Sequence, residues 1–267
     1  MVPAESSIRL ETYQHEKDKK LISDIMNHPL TGKIFQWIHD KNIDSVYMYV
    51  YQSSCVLLTE ENSPKVIHML KQACRRFGCV EVPDIYLIHD YNRTIEICGA
   101  GKPFLLISSR YLGILEGEGE SMMSGVLSSQ IAAICAGHHK GLFLLWALEI
   151  VLQQMSLPKS AVAALEMLLN DWRRCRIYTC DRAFLVATRE YQRSIRNIFI
   201  MLLPGDILDD FGFGTSKDCY REQMERFLSA DGLDNLVNMY NSATSDQSWM
   251  PLRYKELEEF AKSVRLV

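Results

Sequence analysis

The sequence predicts an α+β fold that is predominantly helical with a small β-sheet. Three features point there. Between Pro83 and Ser109, three short aliphatic runs, DIYLIHD, TIEIC and KPFLLISS, are separated by turn residues at Asn92 and Gly99-Ala100-Gly101. Two long helical patterns follow, at about 122–139 and 160–187, with an apolar stretch between them. No internal repeat or low-complexity linker divides the 267 residues, so several helices around one small sheet make a single α+β domain.

In chain order, residues 18–40 predict a helical segment broken at Pro29. Residues 44–59 (DSVYMYVYQSSCVLLT) are rich in Val and Tyr and predict strand, with a hairpin around Gln52-Ser53-Ser54. Ser63-Pro64 opens a helix that runs through Phe77 and stops at Gly78; Val66, Ile67, Leu70, Ala73, Cys74 and Phe77 fall on one face. After the three strands, EGEGESMMSG (116–125) predicts a solvated loop, since its glutamates lack the ligand spacing of a calcium loop. The stretch GLFLLWALEIVL (141–152) predicts a buried helix; the alternative is an element at a membrane surface. Further helices are predicted at 191–203, 218–229, 231–240 and 251–264. Residues 1–80 are read as a helical and strand extension packed on a core formed by residues 81–267.

Composition narrows the function. With 48% hydrophobic and 23% charged residues the chain is globular rather than disordered. A net charge of −4 argues against a general nucleic-acid binder. No run of about 18 apolar residues predicts a transmembrane helix. The eight cysteines are irregularly spaced, include no CxxC pair, and follow a polar N-terminal stretch without an apolar signal core. They are expected to be free thiols in a reducing, cytoplasmic setting, with no metal and no cofactor.

The order of motifs resembles the HtpX-like zinc metallopeptidases, a gluzincin group with H-E-x-x-H on one helix and a glutamate ligand on the next. His28-Pro29-Leu30 resembles the N-terminal His-Pro segment of that family, Ile85-Tyr86-Leu87 the strand before the substrate edge, and Gly101-Lys102-Pro103-Phe104 the edge strand. Val126-Leu127 and Ala136-Gly137-His138 flank the first active-site helix. Trp172, Arg174 and Thr179-Cys180-Asp181-Arg182-Ala183 match the second helix, in a form similar to plant and cyanobacterial members; a plastid is therefore the alternative setting. Met250-Pro251-Leu252-Arg253 with Glu256-Leu257 resembles the C-terminal segment. The resemblance implies a metallopeptidase-like (zincin) fold, and it also implies lost chemistry. Two histidines four apart share a helical face and reach one zinc, and the glutamate beside the first is the general base. Here those positions hold Ser129, Gln130 and Ala133, and the third ligand position holds Ile177. Alanine and isoleucine cannot ligate, a serine hydroxyl is a poor zinc ligand, and glutamine cannot take the proton.

The expectation is a pseudoprotease that binds a protein partner as a scaffold, regulator or complex subunit. His138, Asp181 and Arg182 are the retained pocket residues, with Asp181 expected to pair with Arg182, Arg174 or another cation. Lys102, Phe104, Leu105 and Leu106 form the expected peptide-binding edge, because strand addition needs no zinc. The basic run Arg173, Arg174, Arg176 and Arg182, with His138, His139 and Lys140, is read as a solvated face; an anion site for phosphate or an acidic partner is the alternative. A different class of function stays open as well. It is a hydrolase with a relocated metal site (Cys135, His138 or His139 with Cys175, Cys180 or Asp181) or with Ser128, Ser129 or Cys135 as nucleophile and His138 or His139 as base.

Overall fold

A computed structural model describes residues 7–200 and 250–266, apart from Tyr91 and Met155, together with Glu225. The described helices are α1 (Glu16–Met26), α2 (Pro29–Asp40), α3 (Ile43–Ser54), α4 (Pro64–Phe77), α5 (Ser109–Glu118), α6 (Glu120–Cys135), α7 (His138–Gln154), α8 (Lys159–Thr188), α9 (Tyr191–Ile200) and α10 (Met250–Ser263). The strands are β1 (Val56–Leu57), β2 (Ile85–Ile88), β3 (Ile95–Cys98) and β4 (Phe104–Ser108). The expected helices at 218–229 and 231–240 lie outside the described residues.

Several boundaries have local causes. His28 caps α2 by accepting from the Leu30 amide at 3.3 Å, with Pro29 in the first turn, which is why the 18–40 segment splits there. Gly78 takes φ +69° beyond α4, a conformation other residues reach only with strain.

Two expectations are corrected here. Residues 43–54 are helix, and only Val56 and Leu57 are strand. Tyr47, Met48 and Tyr51, at helical spacing, pack on the Tyr86, Cys98, Phe104 and Leu106 face of the sheet, and that burial overrides the β-propensity of Val and Tyr. The 116–125 segment is not a loop. Gly119 alone separates α5 from α6, and Met122 and Met123 are buried beyond it, which anchors the helix start in the core.

The sheet is mixed, in the order β1-β2-β4-β3. β2 and β4 are parallel from Ile85↔Leu105 to Ile88↔Ser108, and β3 runs antiparallel to β4 from Ile95↔Ile107 to Cys98↔Phe104. One face, through Ile85, Ile95, Ile97, Leu105 and Ile107, joins α4, α6 and the second half of α8 in the main core. A second cluster joins α1, α2 and α7 to the first half of α8 around Trp172. The contact between α6 and α8 is close: a methyl group on Gly125 would lie 2.4 Å from the Phe184 ring.

No single described helix is long and apolar enough to cross a membrane; α6 and α7 meet that test only together, and they are bent by 78°.

Candidate functional site

Helices α6 and α8 open onto a cleft of about 540 Å³. Gln130 of α6 and Ile177 of α8, which the resemblance would place at the general-base and third-ligand positions, both line it. Ser129 and Ala133 are buried (3% and 0% exposed), and Ala133 belongs to the main core. The Ser129 hydroxyl donates to the Val126 carbonyl at 2.7 Å, and the Gln130 amide reaches Ser129 Oγ at 3.4 Å. The zinc implied by the resemblance does not fit these residues, because Ala133 and Ile177 carry no donor and the one hydroxyl is committed to the helix.

The remaining walls come from distant segments. Tyr47 and Tyr51 of α3, with Leu142 and Trp146 of α7, give an aromatic side, and Met250 and Arg253 of α10 close another. Strand β3 runs along the opening with the loop that precedes it. The expected peptide edge at Lys102, Phe104, Leu105 and Leu106 is corrected: β4 is an inner strand bonded on both sides, and Phe104, Leu105 and Leu106 are buried. Among the described residues the outer strands are β1 and β3, and β3 is the one that runs along the cleft. Its order in the sheet could not be read from strand sequence alone, since β4 crosses past β3 to pair with β2.

The pairing phase fixes which groups that edge offers. The Ser108 amide donates to the Thr94 carbonyl at 2.9 Å, so Thr94, Glu96 and Cys98 turn their backbone groups toward β4. Ile95 and Ile97 therefore point their N–H and C=O groups the other way, with no backbone partner among the described residues. Their side chains are buried in the core, which holds the strand in place.

The charged lining is cationic. Among the described residues the cleft wall holds Arg93, Arg173, Arg176, Arg253 and Glu96; Arg93 bonds to Glu96 at 2.5 Å and to Asp90 at 3.0 Å, and Arg253 is held by Asp181. Burial, with Arg176 and Arg174 nearby, holds the Arg173 pKa below its ordinary value. This corrects the reading of the basic run as a solvated face: Arg173 and Arg176 turn into the cleft and are half-buried, whereas Arg182 forms an ion pair with Glu256 at 3.6 Å and lies over the Phe260 ring at 4.8 Å.

Asp181 sits behind the cleft, where Arg253 grips it through two bonds of 2.9 and 2.7 Å. The pair is buried, and it pins α10 to α8. The "other cation" is thus Arg253, while Arg174 bonds to Asp171 instead. His138 does not reach the cleft. It is fully buried, and its Nε2 bonds to Asp18 at 2.8 Å.

The hydrolase candidates are not brought together. Ser128 and Ser129 are buried, neither hydroxyl has a histidine partner among the described residues, and Cys135 lies outside the cleft lining. The two thiols that do line the cleft are pushed up by burial, Cys98 to about 11 and Cys180 to about 12. Both are protonated at neutral pH and are weak nucleophiles. No described group of three or more His, Cys, Asp or Glu is arranged to hold a metal ion.

No family model, curated protein or solved structure matches this chain. Its function therefore rests on the site.

Proposed function

We propose that the chain is a pseudoprotease that holds an extended segment of a protein partner in the cleft without cutting it. The observation that carries this reading is the β3 edge, whose outward amides and carbonyls at Ile95 and Ile97 lie along the cleft beside Gln130 and Ile177. A peptide laid there adds a strand, and main-chain bonds supply affinity with little demand on sequence. Specificity comes from the flanks. Arg176 favours an acidic side chain, and Tyr47, Tyr51 and Trp146 favour an apolar or aromatic one. Binding stops at binding because glutamine stands where a proton acceptor would be needed and no imidazole lines the described cleft.

The test is fluorescence anisotropy with labelled extended peptides carrying acidic residues, followed by mass spectrometry of each peptide after long incubation. Retained peptide of unchanged mass is expected. Ile97→Pro removes one outward N–H while leaving the β4 ladder intact, and it is expected to weaken binding about three- to tenfold, the worth of one net hydrogen bond. Ile97→Val controls for the lost side-chain volume and keeps its affinity. Arg176→Glu is expected to weaken the preference for acidic peptides. Equal binding by Ile97→Pro and the parent, or cleaved product from the parent, defeats the proposal.

A further inference from the structure

The ends of α4 and α6 bring three thiols together outside the cleft lining. Beyond Gly78 the Cys79 amide donates to the Cys74 carbonyl at 2.9 Å, which folds Cys79 back over Cys74. Cys135, at the last position of α6, directs its Sγ to the Phe77 carbonyl at 3.7 Å, two residues before Cys79 in the chain. Cys79 and Cys135 both pack against the main core at this corner, where each thiol bears on the ionisation of the other. Cys74 is buried, whereas Cys79 and Cys135 are half-buried and open to a small reactant.

The electrostatics favour ionisation at one sulfur. Hydrogen bonds from Cys135 and Cys74 outweigh burial and hold the Cys79 thiol well below the ordinary cysteine range, while Cys74 and Cys135 are pushed up. As a thiol Cys79 donates to the Glu81 carbonyl at 3.2 Å, a bond that ionisation gives up. His139 lies close enough to act on Cys79, and its Nδ1 is buried without a hydrogen-bond partner among the described residues. Burial, with Lys140 and His138 nearby, pushes its pKa down to about 4, so it is a neutral base at pH 7.

We propose that Cys79 and Cys135 form a peroxide-reactive dithiol, with Cys79 the attacking sulfur and Cys135 the resolving one. The Cys79 thiolate attacks one oxygen of hydrogen peroxide; an S–O bond forms, the O–O bond breaks, and the departing hydroxide takes up a proton to become water. Cys79 is then a sulfenic acid. Cys135 gives up its proton and attacks the Cys79 sulfur; an S–S bond forms, the S–O bond breaks, and the hydroxide leaves with that proton as a second water. The two thiols lose two electrons and peroxide gains them. Cys135 rather than Cys74 resolves because Cys74 is sealed in the core at 2% exposure. The product ties the turn after α4 to the end of α6, the helix that carries Gln130.

The chain makes the test clean. Trypsin separates Cys74, Cys79 and Cys135 into peptides 72–75, 77–93 and 111–140. The full chain is treated with hydrogen peroxide at pH 7, alkylated and digested. A 77–93 to 111–140 cross-link is expected, lost in Cys79→Ser, while Cys135→Ser leaves a Cys79 sulfenic acid that dimedone traps. In the untreated parent, iodoacetamide is expected to label Cys79 about tenfold faster than half-buried Cys55. A 72–75 to 77–93 cross-link, no cross-link, or labelling of Cys79 at the Cys55 rate overturns the proposal, and all three are read on the parent chain.

Discussion

Asp18 decides more of this molecule than any residue in the cleft. Its carboxylate is fully buried and accepts from Trp172 Nε1 at 2.8 Å and Thr179 Oγ1 at 2.7 Å, and it meets His138 Nε2 at 2.8 Å. One side chain thus joins α1, α7 and α8. Removing it strands three buried polar groups, so Asp18→Ala is expected to cost about 3–5 kcal/mol in urea unfolding. The pH dependence has a definite sign. Burial alone would raise the Asp18 pKa, but His138, Thr179 and Trp172 together hold it below its ordinary value. A carboxyl lowered on folding contributes stability above its unfolded pKa of about 3.9 and loses it as pH falls through the folded value. The stability gap between the parent and Asp18→Asn should therefore be full at pH 7 and shrink only below about pH 4. A constant gap down to pH 3 would refute the assignment. Nothing local in the sequence announces this residue. Asp18 stands in the charged run EKDKK, which reads as solvated surface, and its partners lie 120 to 161 residues away. By contrast Thr179-Cys180-Asp181-Arg182, singled out by resemblance, proves dense in contacts. Thr179 holds Asp18, Cys180 lines the cleft, Asp181 holds Arg253, and Arg182 meets Glu256.

Elements with strong punctuation were legible, and those defined by a distant surface were not. α4 has proline at its start, glycine past its end and a clean apolar face, so local chemistry suffices to place it. α3 reads as strand because its Val and Tyr content outweighs any helical signal until the sheet face it covers is known. The order of β3 and β4 fails for a similar reason, since alternation in a short apolar run does not tell an edge strand from an inner one. The α6–α8 contact is the element-level feature open to direct test. Gly125→Ala adds helix propensity worth about 1 kcal/mol, yet its new methyl group would meet the Phe184 ring at 2.4 Å. Overpacking of that kind costs about 1–3 kcal/mol, so a net loss of thermal stability is expected. Phe184→Leu in the same chain should recover part of it. A Gly125→Ala variant that melts above the parent would show that the two helices have room to part.

At the scale of the whole molecule, the cleft exists because separate parts of the chain converge on α6 and α8. Residues 1–80 contribute the aromatic wall of α3, residues 92–98 the edge, and α10 the Arg253 that fixes Asp181. Of the four substituted positions read from the sequence, Gln130 and Ile177 line one opening while Ser129 and Ala133 sit one turn apart on the same helix, as a ligand pair on α6 would. If this is the frame of a zinc peptidase that has lost its side chains, restoring them should restore the ion. The variant Ser129→His, Gln130→Glu, Ala133→His, Ile177→Glu supplies two imidazoles at i and i+4 and a carboxylate from α8, the three-ligand set of a catalytic zinc site. Elemental analysis after purification without chelator is expected to find about one zinc per variant chain, and the bound ion should raise the melting temperature over that of the chelator-treated sample. Ala133 is the hardest change, because it is fully buried and an imidazole there must displace core atoms. Circular dichroism separates that failure from the informative one. A folded variant that binds no zinc would mean that α6 and α8 do not present these positions to a common point, which counts against the metallopeptidase resemblance and leaves the proposed peptide edge at β3 to stand on its own.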